Sequence, residues 1–306
     1  MTTPLDIIIL THNEAANLPH ALDSLTDAAP RVFIVDSGST DATPDIARAH
    51  GATLVHNPWP GYAAQRNWAL ANLPLESPWT MFLDADELVL PELRDEIDAL
   101  LGGEPEHAAY YVNRYFIFMG ARIRRCGYYP SWNIRLFRRG VARYEDREVH
   151  EHVIVDGSTG YLSGHLHHED RRGLEHYIAK HNRYATLEAR EIFKERHNLN
   201  TPPDQHGRGG RKAESLTRSV ALRRFLKRRV LPAIPAPFLF RFLYMYILKL
   251  GILDGRAGFH FCTLIAAYDL FVSLNLKELE RLARQHDPQT ALEHARPSTG
   301  LAEHTP

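Results

Sequence analysis

Cysteine is nearly missing from this chain: Cys126 and Cys262 are the only two in 306 residues. That excludes a disulfide framework and a cysteine-built zinc site, and it fits a reducing compartment. A dominant charge sign is missing too. Thirty-six Lys and Arg stand against 37 Asp and Glu, a formal net charge of -1, which is not the basic footprint of a nucleic-acid-binding protein. No G-x-G-x-x-G follows the first apolar run and no G-x-x-x-x-G-K-[ST] occurs, which argues against a dehydrogenase or a P-loop enzyme. The opening "MTTPLDIIIL" lacks a charged leader and a small-residue cleavage site, so it reads as a strand and not as an export signal. Long uncharged runs are absent as well: Arg241, Lys249, Asp254, His260 and Asp269 break up the apolar segments of the C-terminal third, where a membrane span would need about twenty nearly uncharged residues.

What is present is a globular composition, 44% hydrophobic and 24% charged. From Leu5 to about Leu101 short apolar runs alternate with helical segments. "LDIIIL", "RVFIVD", "ATLVHN" and "WTMFLDAD" read as strands. "EAANLPHALDSL", "STDATPDIARAHG" and "YAAQRNWALANL" read as helices, the second with Thr43 as N-cap, Pro44 at its first position and Gly51 as its stop. This is the pattern of an α/β, mostly parallel sheet with helices on both faces. Such sheets bind ligands at the carboxyl ends of their strands. "THNE", "DSGSTD" and "DADE" each follow a strand directly, so all three are expected at one crevice. In "DAD", residues two apart on an extended segment point the same way, so Asp84 and Asp86 can face one hard divalent cation. The alternative is an acidic loop drawn to the dipole of the helix "LPELRDEIDALL".

The segments "IIILTHNEAANLPHALDSL", "VFIVDSGSTDATPDIA", "GYAAQRNWAL" and "WTMFLDADELVLPEL", in that order, resemble the N-terminal half of the family 2 glycosyltransferases, which have a GT-A fold. Further on, "YYPSWNIRLFRRG", "VHEH" and "FLYMYILKLGILDGRAGF" are similar to the bacterial branch that adds glucose to the inner-core heptose of lipopolysaccharide. The resemblance implies a nucleotide-sugar donor, UDP-glucose in that branch. Thr11, Asn13 and Glu14 would line its base and ribose, and Asp36 would contact the uracil or ribose. Gln65 and Arg66 would face the donor, unless Arg66 only caps a solvated helix. Asp84 would sit near the ribose and the metal, and Asp86 would ligate Mg²⁺ or Mn²⁺. His168 would complete the coordination.

An inverting transfer also needs a general base for the acceptor hydroxyl. The resemblance points to Glu151, with Asp146 and Glu148 of the same "YEDREVHEH" as alternatives. Trp132 and Arg135 are candidates for holding the acceptor, within a segment rich in aromatics, and Arg122, Arg124 and Arg125 suit an anionic acceptor. "GHLHHED" places His165, His167 and His168 close together, as a metal site or as a polar strand surface; a zinc hydrolase is opposed by the absence of H-E-x-x-H.

The expected organisation is a catalytic domain over 1–172, with a donor half to about 101 and an acceptor half after it. A helical, basic and amphipathic region over 173–284 and a disordered tail over 285–306 complete it. Arg218, Arg223, Arg224, Lys227, Arg228 and Arg229 precede an apolar face, a composition suited to in-plane attachment to an anionic membrane surface on the cytoplasmic face of the inner membrane, or else to a helical subdomain packed on the catalytic domain. The partners implied are a UDP-sugar and a lipid-linked saccharide. Two rivals stay open: a polyprenyl-phosphate or other cell-envelope glycosyltransferase of the same fold, and a nucleotide-binding membrane scaffold without catalysis.

Overall fold

The computed structural model describes residues 4–25, 31–145, 153–197, 199 and 236–294. The chain divides into two compact units, the first reaching Leu174 and the second beginning at Glu175.

The first unit is built on one mixed sheet. β1 (Leu5–Thr11), β2 (Arg31–Asp36), β3 (Thr53–His56) and β4 (Trp79–Asp84) pair in parallel in the order β3-β2-β1-β4. β5 (Glu87–Val89), β6 (Ala109–Phe118), β7 (Ala121–Ile123), β8 (Trp132–Arg138) and β11 (Thr159–His168) extend it as β4-β8-β6-β11-β5, with β7 on β6. β8 runs antiparallel to both β4 and β6, whereas β11 is parallel to β6. β9 (Ala142–Tyr144) and β10 (Val153–Val155) form a separate antiparallel pair.

The triple isoleucine of β1 shows why the sheet needs cover on both sides. Ile7 and Ile9 join Met81 and Leu83 in one core, against α1 (Leu18–Asp23), α2 (Thr43–Ala49) and α4 (Pro91–Leu101). Ile8, pointing the other way, joins Phe82 and Phe137 in a second core against α3 (Tyr62–Asn72). On the first face, Gly164 lets α4 approach β11 closely: a Cβ there would lie 2.4 Å from the Cα of Leu93. One expected cap moves by a residue. Ala42 is the N-cap of α2, and the Thr43 hydroxyl instead accepts the Glu14 amide at 2.8 Å.

The second unit is helical. α5 (Gly173–Arg196) starts at its boundary; α6 (Pro237–Leu243), a π turn over Tyr244–Leu248, a 3-10 turn over Gly251–Asp254, α7 (Gly255–Gln285) and α8 (Pro288–His294) complete what is described. Ala185, Ala189, Ile192 and Phe193 of α5 pack on Val272, Leu276 and Leu279 of α7 and on Ala291 and Leu292 of α8. α8 corrects the expectation of a disordered tail from residue 285. Asp287 accepts the amides of Gln289 and Thr290 at 2.9 and 3.0 Å, and Pro288 opens the helix. Residues 295–306 lie outside the described residues, as does the basic run Arg218–Arg229. The span Gly251–Gln285 is long and apolar enough to cross a membrane by length and composition, with mean hydropathy 1.5 and 39% of its apolar window buried. Composition alone is therefore compatible with insertion as well as with the in-plane attachment expected from the interrupting charges.

Candidate active site

Strand register brings the three polar loops together. Thr11 lies beside Asp36, Leu10 beside Asp84 and Asp36 beside His56, so "THNE", "DSGSTD" and "DADE" leave the sheet at one edge.

The first two loops are held mainly by their own side chains. Asp36 accepts the Thr11 hydroxyl at 2.9 Å, the Ser39 hydroxyl at 2.5 Å and the amides of Gly38 and Ser39 at 3.0 and 2.8 Å. Four donors fill its acceptor sites, so Asp36 builds the loop instead of reaching outward. Asn13 adopts a left-handed φ of 54°, which asparagine tolerates. Its amide donates to the Ser39 hydroxyl and its side-chain carbonyl accepts from Thr40. Gln65, fully buried, is bonded to Asn57 and Ser37. It braces the loop before α3. Glu14 accepts Arg172 at 2.6 Å and Asn17 at 2.7 Å, and Arg172 also pairs with Asp170. Burial opposes the Asp170 charge, but Arg172 and Asn17 hold its carboxyl well below the usual carboxylate range.

Around Asp84 the charge is settled by arginines. Arg135 meets Asp84 Oδ2 at 2.5 Å and Arg66 meets Oδ1 at 3.1 Å, while the Arg66 guanidinium lies 5.2 Å over the Tyr144 ring. Burial works against the Asp84 charge, yet Arg135 and then Arg66 outweigh it and hold the carboxyl far below its ordinary value. Arg135 was expected to grip the acceptor. It is instead 6% exposed and turned into the protein, where it also binds Glu87 at 2.6 Å. Glu87 had no role in the sequence reading. It is fully buried, pairs with Arg114 at 3.3 Å, and accepts the Asp84 amide at 3.1 Å. A signal existed: Glu87 stands two residues before the buried Val89 on β5, hence on the same face.

Asp86 diverges from Asp84 and faces His168, whose Nδ1 lies 3.3 Å from Asp86 Oδ1. That buried nitrogen has no hydrogen-bond partner among the described residues. His168 stacks on Phe116 with ring centroids 5.3 Å apart, and the Glu169 amide donates to the Asp86 carbonyl at 2.9 Å, so the pair is held in place. A carboxylate oxygen beside a buried, unbonded imidazole nitrogen fits a divalent ion that takes its other ligands from phosphate and water, the usual manner of Mg²⁺. Among the described residues no group of three or more His, Cys, Asp or Glu side chains is arranged to hold a metal. The histidines of "GHLHHED" do not converge: His165 stacks on Tyr115 and His167 meets Glu169 at 3.4 Å.

Asp146, Glu148 and Glu151 lie outside the described residues. What is described is the anchorage beside them: Asn67 of α3 bonds both the amide and the carbonyl of Tyr144, which pairs across to Val153. Trp132 is 39% exposed and rests edge-on against Tyr161 at 5.0 Å.

Residues 6–162 match the model of glycosyl transferase family 2. The chain belongs to that family. Its sheet is accordingly the GT-A sheet, and Asp84 and Asp86 stand at the carboxyl edge of its parallel strands. Among curated relatives, the lipopolysaccharide core biosynthesis glycosyltransferase LpsC of Rhizobium meliloti is 34% identical over 198 residues, covering 61% of this chain and 70% of that protein. An uncharacterized glycosyltransferase of Rickettsia bellii is 28% identical over 208 residues, covering 64% and 69%. Among solved structures, glucosyl-3-phosphoglycerate synthase from Mycobacterium tuberculosis, in complex with Mn²⁺, UDP and glucosyl-3-phosphoglycerate, is 24% identical with a TM-score of 0.30. It covers 37% of this chain and less than half of its own, 44%.

Proposed function

We propose that this family 2 transferase is inverting and divalent-cation-dependent, and that it moves glucose from UDP-glucose onto the inner-core heptose of lipopolysaccharide or a chemically similar lipid-linked glycan. The observation that carries the donor side is the pairing of Asp86 Oδ1 with the unbonded His168 Nδ1 at 3.3 Å, at the strand edge where the three loops meet. These two residues would hold Mg²⁺ or Mn²⁺, which offsets the negative charge that develops on the departing diphosphate. Arg66, beside Asp84, adds positive charge at the same edge.

In the transfer the acceptor hydroxyl attacks the anomeric carbon from the face opposite the diphosphate. The new glycosidic C–O bond forms as the bond to phosphate breaks, and a carboxylate takes the hydroxyl proton. Glu151 is the proposed base, with Asp146 and Glu148 as the other candidates. The acceptor class is supported by the name of the R. meliloti relative. Trp132 offers a ring on which a sugar face can stack.

Attachment to the cytoplasmic face of the inner membrane is supported by exposed apolar side chains on α6 and on the turns that follow it. Phe240, Ile247, Leu248, Ile252 and Leu253 are all more than half exposed, with Arg241, Lys249 and Arg256 among them. The test is transfer of labelled glucose from UDP-glucose to a heptose-terminated lipid A core, with and without Mn²⁺. Metal-dependent labelling of the core supports the proposal. Labelling from another sugar nucleotide alone, or none from any, rejects the assignment.

A further inference from the structure

We infer that Arg135 is a positioning residue of the donor end: a β-bulge turns it inward, where it ties Asp84 to Glu87 and fixes the turn that presents Asp86 to His168. The inference rests on the donor reading above.

The bulge is visible in the pairing of β8 with β6. Tyr111 opposes Ile134 and Tyr110 opposes Leu136, so Arg135 is the extra residue. The cores confirm it. Ile134 packs with Ile8, Phe82 and Phe137, whereas Leu136, two residues on, belongs to the opposite core with Tyr110 and Val112. In a regular strand residues two apart share a face; a bulge breaks that rule and re-aims the residue within it.

The re-aimed guanidinium does more than neutralise charge. Its Nη2 reaches Asp84 Oδ2 at 2.5 Å and Glu87 Oε1 at 2.6 Å, and its Nη1 reaches Asp84 Oδ1 at 3.3 Å. One planar fork thus spans the two residues that bracket Ala85 and Asp86. Glu87 closes the same turn by accepting the Asp84 amide, and in the sheet it stands opposite His168. Both members of the Asp86–His168 pair are therefore one step along the chain or across the ladder from a group that Arg135 holds. A lysine would keep the charge but, as a compact ammonium on a flexible stem, would not reproduce the fork.

The test is the binding of Mn²⁺ in the presence of UDP, read from the electron paramagnetic resonance signal of the free ion, on wild type, Arg135→Lys and Glu87→Gln, with melting curves alongside. A residue that only stabilises the fold would lower the melting temperature and leave the Mn²⁺ titration of the folded protein unchanged. Positioning predicts that folded Arg135→Lys needs about tenfold more Mn²⁺ for half-saturation, roughly the effect of losing a support of a metal ligand. Glu87→Gln, which keeps shape and an acceptor oxygen, should shift it in the same direction by less. A wild-type titration in folded Arg135→Lys overturns the inference, and if that variant does not fold, an unchanged titration in Glu87→Gln does so. Failure of the wild type to take up Mn²⁺ with UDP overturns the donor reading, and the inference with it.

Discussion

Glu87 and Arg135 meet at 2.6 Å at a point where the carboxylate is fully buried. Around this contact Arg66, Arg114 and Arg135 face Asp84 and Glu87, three positive charges to two negative. The acidic mouth of β4 is thus already compensated by protein, and Asp84 needs no metal ion to stay ionised. A cation at this edge would serve Asp86 and the diphosphate.

Replacing Glu87 by leucine should show how much the fold depends on this compensation. Arg135 would be left buried with only Asp84, and breaking a buried pair from one side costs about 3–5 kcal/mol. The urea midpoint should fall accordingly. A loss below about 1 kcal/mol, the range of exposed pairs, would contradict the pairing described.

Asp6 supplies a contrast from the amino end of β1. Fully buried, it accepts Arg31 at 2.9 Å, the amides of Glu76 and Ser77, and the Ser77 hydroxyl at 2.7 Å. Burial pushes its pKa up, but Arg31 and Ser77 prevail and hold it below the ordinary 3.8. A carboxyl lowered on folding stabilises at pH above its unfolded value and loses that contribution as pH falls below it. Asp6→Asn should therefore cost about 1–3 kcal/mol at neutral pH and flatten the loss of stability below about pH 4, while UDP binding stays at the wild-type level. Weakened UDP binding would mean that the two ends of the sheet are coupled.

His165 predicts a dependence nearer neutrality. Burial, then Arg122, lowers its pKa from 6.5, and the ring stacks 4.0 Å from Tyr115 and meets the Tyr129 hydroxyl at 3.1 Å. The folded chain resists protonating it, so its contribution is complete above pH 6.5 and is lost as pH falls through the lowered value. His165→Gln should lose less melting temperature than wild type between about pH 7 and 5. Parallel curves would place the titration elsewhere.

Trp132 is the proposed acceptor contact, and its replacement should affect acceptor and donor differently. With Trp132→Ala, KM for the acceptor should rise several-fold, in line with about 0.5–1.5 kcal/mol for an aromatic stack, and UDP binding should not change. An unchanged acceptor KM would move the acceptor away from the Trp132–Tyr161 surface.

Much of the first unit could be read from sequence, because parallel strands covered on both faces appear as unbroken apolar runs such as "DIIIL" and "MFL". The shared edge of the three polar loops followed from that order alone. The duties of individual side chains did not. Asp36 and Gln65 carry the polar chemistry of donor contacts, but protein groups satisfy them: Asp36 accepts from Gly38 and Ser39 nearby and from the distant Thr11, and Gln65 donates to Ser37, a partner brought close only by folding. The inward turn of Arg135 comes from a bulge of one residue, which leaves no trace in hydrophobic periodicity. Asp287 and Pro288 carry a helix-start signal inside a polar stretch.

On the proposed reading Asp86 would hold a divalent ion against the diphosphate of a uridine nucleotide. Calorimetric titration of UDP, with and without Mn²⁺, into wild type and Asp86→Asn tests it most directly. Binding to wild type should require Mn²⁺, and Asp86→Asn should lose that requirement together with most of the affinity, at an unchanged melting temperature. Equal, metal-dependent binding by both proteins would contradict it.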